Sequence, residues 1–328
     1  MSVTTATTQT PEHLLVTMLA KEMRANPKIV LIHGGDGAHA GGGRGGGGSA
    51  FHELRAKFSG ERVRHTAASA GALVSAALGA ALCGYRPVVE LSSPDDLPFA
   101  LDSLATSASR SSWMSGGGIT APLVLRILTG QGMGGSHAWE AWCAHVPGLL
   151  VAAPSLASDA CGLLRTALRS NENPVLLFEH PELYTLTPDT AVAVPDLPFG
   201  VARIVRRGKD VTIVGYGSVI RKAAAACERA GAQLNIETEL IDLRTLTPVD
   251  MVCVLESLKK TGRILLCADA PASGGFTSEL AMRIMEHGFD DLDAPIRRAC
   301  ALDIPVCTPA ALPSEAAILA AIEELAQS

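Results

Sequence analysis

The sequence predicts an α/β protein of two domains, each a mostly parallel sheet with helices on both faces. Three observations predict it. Short apolar runs alternate with longer helical patterns throughout. The chain has 328 residues, more than one typical domain needs, and 48% of them are apolar. A proline-rich stretch with little periodicity, TLTPDTAVAVPDLPFG ending at Gly200, separates two such alternating series.

In the first series, apolar runs at Lys28–Ile32, Pro87–Leu91, Pro122–Leu128, Leu149–Ala153 and Val175–Phe178 read as strands. Helices fill the gaps at Pro11–Ala25, Ala67–Leu82, Leu97–Ser111, Ala138–His145 and Ser155–Leu168. Proline opens the first of these, where its missing N–H costs nothing. In the second series, strands fall at Val211–Val214, Glu237–Ile241, Ile264–Cys267 and near Arg298, with helices at Ser218–Ala230, Val249–Lys259, Phe276–His287 and Ser314–Ala326. The expected organisation is a first domain over 1–185, a linker over 186–200 and a smaller, separately foldable domain over 201–328. The glycine-rich run over 38–50 is expected to form a mobile loop.

Composition removes several function classes. The 27 basic and 33 acidic side chains leave a formal charge of −6 without a basic cluster, which argues against nucleic-acid or anionic-membrane surfaces. The uncharged stretch Thr66–Tyr85 is long enough to approach a bilayer span, but Ala, Gly and Ser dominate it, so it reads as a buried helix. No basic region followed by an apolar one opens the chain, and a cytoplasmic location is expected. The eight cysteines show no Cys-x-x-Cys pair and read as buried thiols; no metal site is expected on this chain.

Three glycine motifs mislead. Gly130-Gln-Gly132-Met-Gly134-Gly135 has the dinucleotide spacing, but the following strand ends in Pro154 without an acid for the ribose. Gly215 and Gly217 lack the third glycine, which is Ile220. Gly35-Asp36-Gly37 begins like the motif that holds Mg2+ and diphosphate in thiamine enzymes, yet no Asn follows between Asn26 and Asn171. The glycine-rich run likewise lacks the Lys and Ser or Thr of a phosphate-binding loop.

Seven segments, in order, carry a resemblance to one family: GYRPVVEL (Gly84–Leu91), SGG with PLVLR (Ser115–Arg126), AHVPGLLVAAPS (Ala144–Ser155), GKDVTIVGYGSVI (Gly208–Ile220), IDLRTLTPVD (Ile241–Asp250), APASGGFTSEL (Ala270–Leu280) and LDAPIRR (Leu292–Arg298). The chain resembles the beta subunits of thiamine-diphosphate-dependent first components of 2-oxo acid dehydrogenases, and the equivalent half of transketolase. The resemblance implies a pyrimidine-binding domain followed by a transketolase-type carboxyl-terminal domain. It implies thiamine diphosphate with Mg2+ supplied mainly by a separate alpha-type chain, a heterotetramer with beta–beta contacts, and an acyl-carrier or lipoyl domain as a further partner. The isolated chain is not expected to be active.

The same resemblance exposes departures. Thiamine becomes a carbanion when a carboxyl beside the pyrimidine exchanges a proton with it; the family's glutamate for that role falls on Ala70. Aromatic positions of the pyrimidine pocket fall on Pro94 and Asp96. The family's His-Ser-Gln falls on Gly135, Ser136 and His137. The acidic pair after the first strand is His33-Gly34-Gly35-Asp36. Asp96, His65 and His137 are the candidate replacements for proton transfer, against ordinary readings of Asp95-Asp96 as a solvated helix start and of the histidines as packing or surface groups. Glu140 keeps a family position, with a surface or interface role as the plainer reading. Trp113, Trp139 and Trp142 read as core or subunit-contact residues, and Asp269 and Asp303 as cap, turn or partner-facing groups. The function expected is a beta-type subunit of a thiamine-diphosphate-dependent, acyl- or ketol-transferring enzyme with a non-standard site. The alternative is an inactive scaffold or regulatory subunit.

Overall fold

The computed structural model describes residues 11–34, 53–66, 69–91, 93–129, 138–170, 172–185, 196–304 and 308–328. The 38–50 run and the site candidates Gly135, Ser136 and His137 lie outside the described residues. Two sheets organise the chain. The first contains α1 (Pro11–Ala25), β1 (Ile29–Gly34), a helical turn α2 over 53–57, β2 (Val63–Thr66), α3 (Ala70–Leu82) and β3 (Arg86–Leu91). It continues through α4 (Leu97–Thr106), α5 (Ser111–Met114), β4 (Val124–Leu128), α6 (Glu140–Ala144), β5 (Leu150–Ala152), α7 (Ala157–Ser170), β6 (Val175–Glu179) and α8 (Glu182–Thr185).

The second sheet is built from β7 (Arg203–Arg206), β8 (Val211–Gly215), α9 (Val219–Arg229), β9 (Thr238–Asp242), α10 (Met251–Thr261), β11 (Ile264–Pro271), α11 (Phe276–Gly288), β12 (Arg297–Ala301) and α12 (Glu315–Ala326). Its strand order is β12-β11-β8-β9-β7, with only β7 antiparallel to its neighbour. Strand β10 (Thr245–Thr247) does not join it. It pairs antiparallel with β5 and completes a first sheet of order β10-β5-β6-β4-β3-β1-β2, whose other pairings are all parallel. The second region therefore lends an edge strand to the first, so the separately foldable domain expected above shares its backbone hydrogen bonding with its neighbour.

Strand alternation sorts the first core into two layers. Val88 and Val124 pack with Leu15, Leu19 and Leu164 of α1 and α7, while Val89 and Leu125 pack with Leu73, Val74 and Leu97 of α3 and α4. Being covered on both faces explains why these strands read as continuous apolar runs. In α3, Ala70, Leu73, Val74, Ala77, Leu78 and Ala81 are buried at helical spacing while Ala72, Ser75, Ala76, Gly79 and Leu82 are exposed, so the helix expected to be buried is amphipathic, with one face on the core and one in solvent. No described helix is long and apolar enough to cross a membrane. The α3–α4 layer continues into the second region through Tyr216, Ile241, Leu246 and Val254. A separate layer of Val219, Ala223, Ile318 and Ile322 covers the outer face of the second sheet.

Several short elements escaped the sequence reading. β2, β7 and β10 have no apolar run to announce them; β2 is the polar edge VRHT. The helix expected over Leu97–Ser111 breaks at Ser107 into a 3-10 turn and α5. Of the described cysteines, Cys83 is exposed and Cys253 and Cys300 are half-buried, which corrects the uniform expectation of buried thiols. Trp113 is 90% exposed, so it is no core residue.

One tight approach is testable. Gly148 has φ +92°, and an added Cβ would lie 2.2 Å from the Ser109 carbonyl oxygen. Gly148→Ala is expected to lower the unfolding free energy by about 1–3 kcal/mol in urea titrations.

Candidate active site

In open parallel sheets ligands gather at the carboxyl ends of strands. Here β2, β1, β3 and β4 bring His65, His33, Glu90 and Arg126 into one transverse row, each in register with the next. Arg126 is fully buried. Its Nη1 donates to Glu90 Oε2 at 2.5 Å, and its Nε and Nη2 donate to the two carboxylate oxygens of Glu179 at 2.9 and 2.6 Å. Tyr184 Oη, brought over by α8, donates to Glu179 Oε2 at 2.5 Å. Burial favours loss of the guanidinium proton, but Glu179 and then Glu90 outweigh it and hold the group well above its ordinary pKa. His33 Nδ1 lies 3.5 Å from Glu90 Oε1. Desolvation, then His65 and Arg126, lower the pKa of His33, so it faces Glu90 as a neutral ring at neutral pH. The network was missed in the sequence, although a charged residue inside each of three apolar runs, VVEL, VLRIL and VLLFE, was its signal.

Beside this row stand the residues singled out from the sequence. Ala70 opens α3, is 7% exposed and belongs to the apolar cluster of Leu73, Leu97 and Ala100. The helix start is pressed onto α4: a Cβ on Gly71 would come 2.8 Å from the Phe99 carbonyl oxygen. Pro94 is buried at the start of a 3-10 turn, Pro94–Asp96, capped by Ser93, whose Oγ accepts from the Asp95 N–H at 3.2 Å. Asp96 is exposed in that turn. Partial burial, and then Asp95, raise its carboxyl pKa. His65 is exposed on the edge strand, its ring 5.5 Å from that of His33. The fold thus brings Ala70 close to the segment that follows β3, whereas Asp96 and His65 open to solvent.

A second polar locus lies where the two sheets' carboxyl ends face each other. Glu140, at the start of α6, was expected as a surface or interface carboxylate; instead its Oε2 is buried without a hydrogen-bond partner. Burial, with Asp269 adding to it, pushes its carboxyl up to about 7, against the pull of its own backbone N–H. Asp269 accepts from Ser218 Oγ at 2.5 Å and from Lys222 Nζ at 3.2 Å, so it braces α9, while Asp303 is exposed.

Two stacked α/β units with this strand order define the transketolase class of fold. Residues 11–187 match the transketolase pyrimidine-binding domain, and residues 200–321 match the transketolase carboxyl-terminal domain. The pyruvate dehydrogenase E1 component subunit beta of Rhizobium meliloti (strain 1021) is 36% identical over 330 residues, covering 96% of this chain and 69% of the relative. The acetoin:2,6-dichlorophenolindophenol oxidoreductase subunit beta of Cupriavidus necator is 35% identical over 295 residues, covering 87% and 86%. The 2-oxoisovalerate dehydrogenase subunit beta of Bacillus subtilis is 37% identical over 257 residues, covering 77% and 78%. Among solved structures, a split-gene transketolase described as an inactive beta4 tetramer superposes with a TM-score of 0.78 over 97% of this chain and 98% of its own, at 19% identity. The chain belongs to the family of beta subunits of thiamine-diphosphate-dependent 2-oxo acid dehydrogenase first components.

Removing the guanidinium from the strand-end row leaves two carboxylates buried side by side. Arg126→Leu is expected to cost about 3–5 kcal/mol in unfolding free energy. Tyr184→Phe, which deletes one hydrogen bond to an ionised group, should cost about 1.5–3 kcal/mol in the same denaturant assay.

Proposed function

We propose that this chain is the beta-type subunit of a heteromeric, cytoplasmic, thiamine-diphosphate-dependent enzyme that decarboxylates 2-oxo acids or transfers acyl or ketol units, with a non-standard pyrimidine site. An alpha-type chain holds the diphosphate and Mg2+ in this reading, beta chains pair with each other, and a lipoyl or other acyl-carrier domain is a further partner. Family membership supports the assignment of class. The observation that carries the non-standard site is residue 70. A methyl group stands at the buried start of α3, where the role needs a titratable side chain.

The cofactor's pyrimidine needs a surface to lie against and a group that moves a proton at its N1′ atom. Ala70 and Pro94 are buried apolar groups and suit contact with a ring. They do not suit proton relay. When bound, the cofactor supplies the carbanion chemistry; this chain's described contribution is to exclude water and hold the ring. The Arg126 network holds the neighbouring strands β3, β4 and β6 in position beside these residues. A second reading, an inactive scaffold or regulatory subunit, is supported by the exposure of Asp96 and His65, since neither of these two candidate replacements is buried beside Ala70; the third, His137, lies outside the described residues.

Partner contact is supported by an apolar face. Trp113 (90% exposed), Met114 (78%) and Trp142 (58%) stand out on the first domain. Two grooves there share Ala105, His145 and Val146. Large apolar side chains at that exposure mark association surfaces.

Two experiments test these assignments. In the complex reconstituted with its alpha chain, hydrogen exchange at the thiazolium carbon is expected to be about 10²–10⁴-fold slower than with a glutamate-bearing beta subunit. Ala70→Glu should raise it at least about tenfold. Exchange as fast as in a glutamate-bearing complex overturns the non-standard site. Recovered exchange without 2-oxo acid turnover favours the scaffold reading. Separately, Trp113→Ala should leave the far-UV circular dichroism unchanged and lower the assembled mass in sedimentation velocity, weakening association by about 2 kcal/mol. An unchanged assembly removes this face from the interface.

A further inference from the structure

Between the two domains lies a small cavity of about 40 Å³, lined by Thr129, Glu140, His180, Tyr216, Ser218 and Asp269 among others. Thr129 follows β4, His180 follows β6, Tyr216 follows β8, and Asp269 belongs to β11. Strand ends of both sheets therefore meet on one cavity. Its size admits a single ion or one or two waters and nothing larger.

Two polar atoms in its wall have no protein partner. Tyr216 is 5% exposed and its hydroxyl makes no hydrogen bond, and the same holds for the buried Oε2 of Glu140. Native interiors rarely tolerate one such atom, and here two address the same space. The charges around it are unequal. Lys222 and Ser218 compensate Asp269, but among the described residues no cation pairs with Glu140. His180 cannot serve, because burial lowers its pKa despite Glu182 and Asp269, and the ring is neutral at neutral pH. The donors are oxygens. Oxygen donors suit a hard ion.

We propose that this chamber binds one small monovalent cation, alkali or ammonium, between Glu140 Oε2, Tyr216 Oη and the Asp269 carboxylate. The cation and a proton compete for Glu140 Oε2. It ties α6 of the first domain to β8 and β11 of the second, and it stands independently of how the pyrimidine site works.

Thermal unfolding of the full chain in potassium, sodium, ammonium or choline chloride at equal ionic strength tests this. At least one of the first three should raise Tm saturably, by about 3 °C at tenfold its dissociation constant, relative to choline. Glu140→Gln and Tyr216→Phe should each abolish that ion-specific rise. Identical Tm values in all four salts, or an undiminished rise in both variants, overturn the site. Crystals of the unmutated chain grown with thallium(I) acetate give a readout that does not depend on how the variants fold. An anomalous peak inside the chamber is expected, and a chamber holding only water overturns the proposal.

Discussion

The first sheet depends on one fully buried guanidinium. Arg126 donates to Glu179 through a bidentate pair and to Glu90 through a third hydrogen bond, so a single side chain joins β3, β4 and β6. Charges this deep persist only when paired and hydrogen-bonded on nearly every side. Tyr184 adds a donor to Glu179 and anchors the segment leaving β6 to the same point. What the network contributes is position: it fixes the relative height of three neighbouring strands, and with them the loops that follow. A replacement by well-packed apolar residues could match its stability, but not that directional constraint.

Around this centre the chemistry divides. On one side, Ala70 and Pro94 present apolar surface where relatives of this chain meet the pyrimidine of their coenzyme in the reading proposed above. On the other, the domain boundary collects Glu140, Tyr216, Asp269 and His180, groups that carry or accept charge but make few contacts with each other. The polarity expected of a catalytic pocket is thus concentrated at the strand-end row and at the domain junction, while the start of α3 is apolar.

The architecture was legible because its strands are covered on both faces, which leaves uninterrupted runs such as LVLRIL and VLLFE. The bounds of α1 were readable from its proline and its spacing. The edges were not: β2, β7 and β10 are short or polar, and β10 pairs across the domain boundary, a long-range event that no local pattern encodes. At the candidate site, the family pattern is what draws attention to position 70, and the proposal that a carboxyl is missing there rests on that pattern and on the buried methyl at the start of α3. Glu140 was not read correctly, because burial depends on what packs over α6 from the second domain. The Glu90–Arg126–Glu179 network was visible as three misplaced charges but needed the strand order to become one object.

The crossing of β10 into the first sheet bears on how such a chain can be handled. With Thr245–Thr247 hydrogen-bonded beside β5, a swivel that carried β10 with the second region would unzip that ladder. A fragment ending near residue 200 would bare the flank of β5, an open template for self-association, so excised halves are best produced together in one cell.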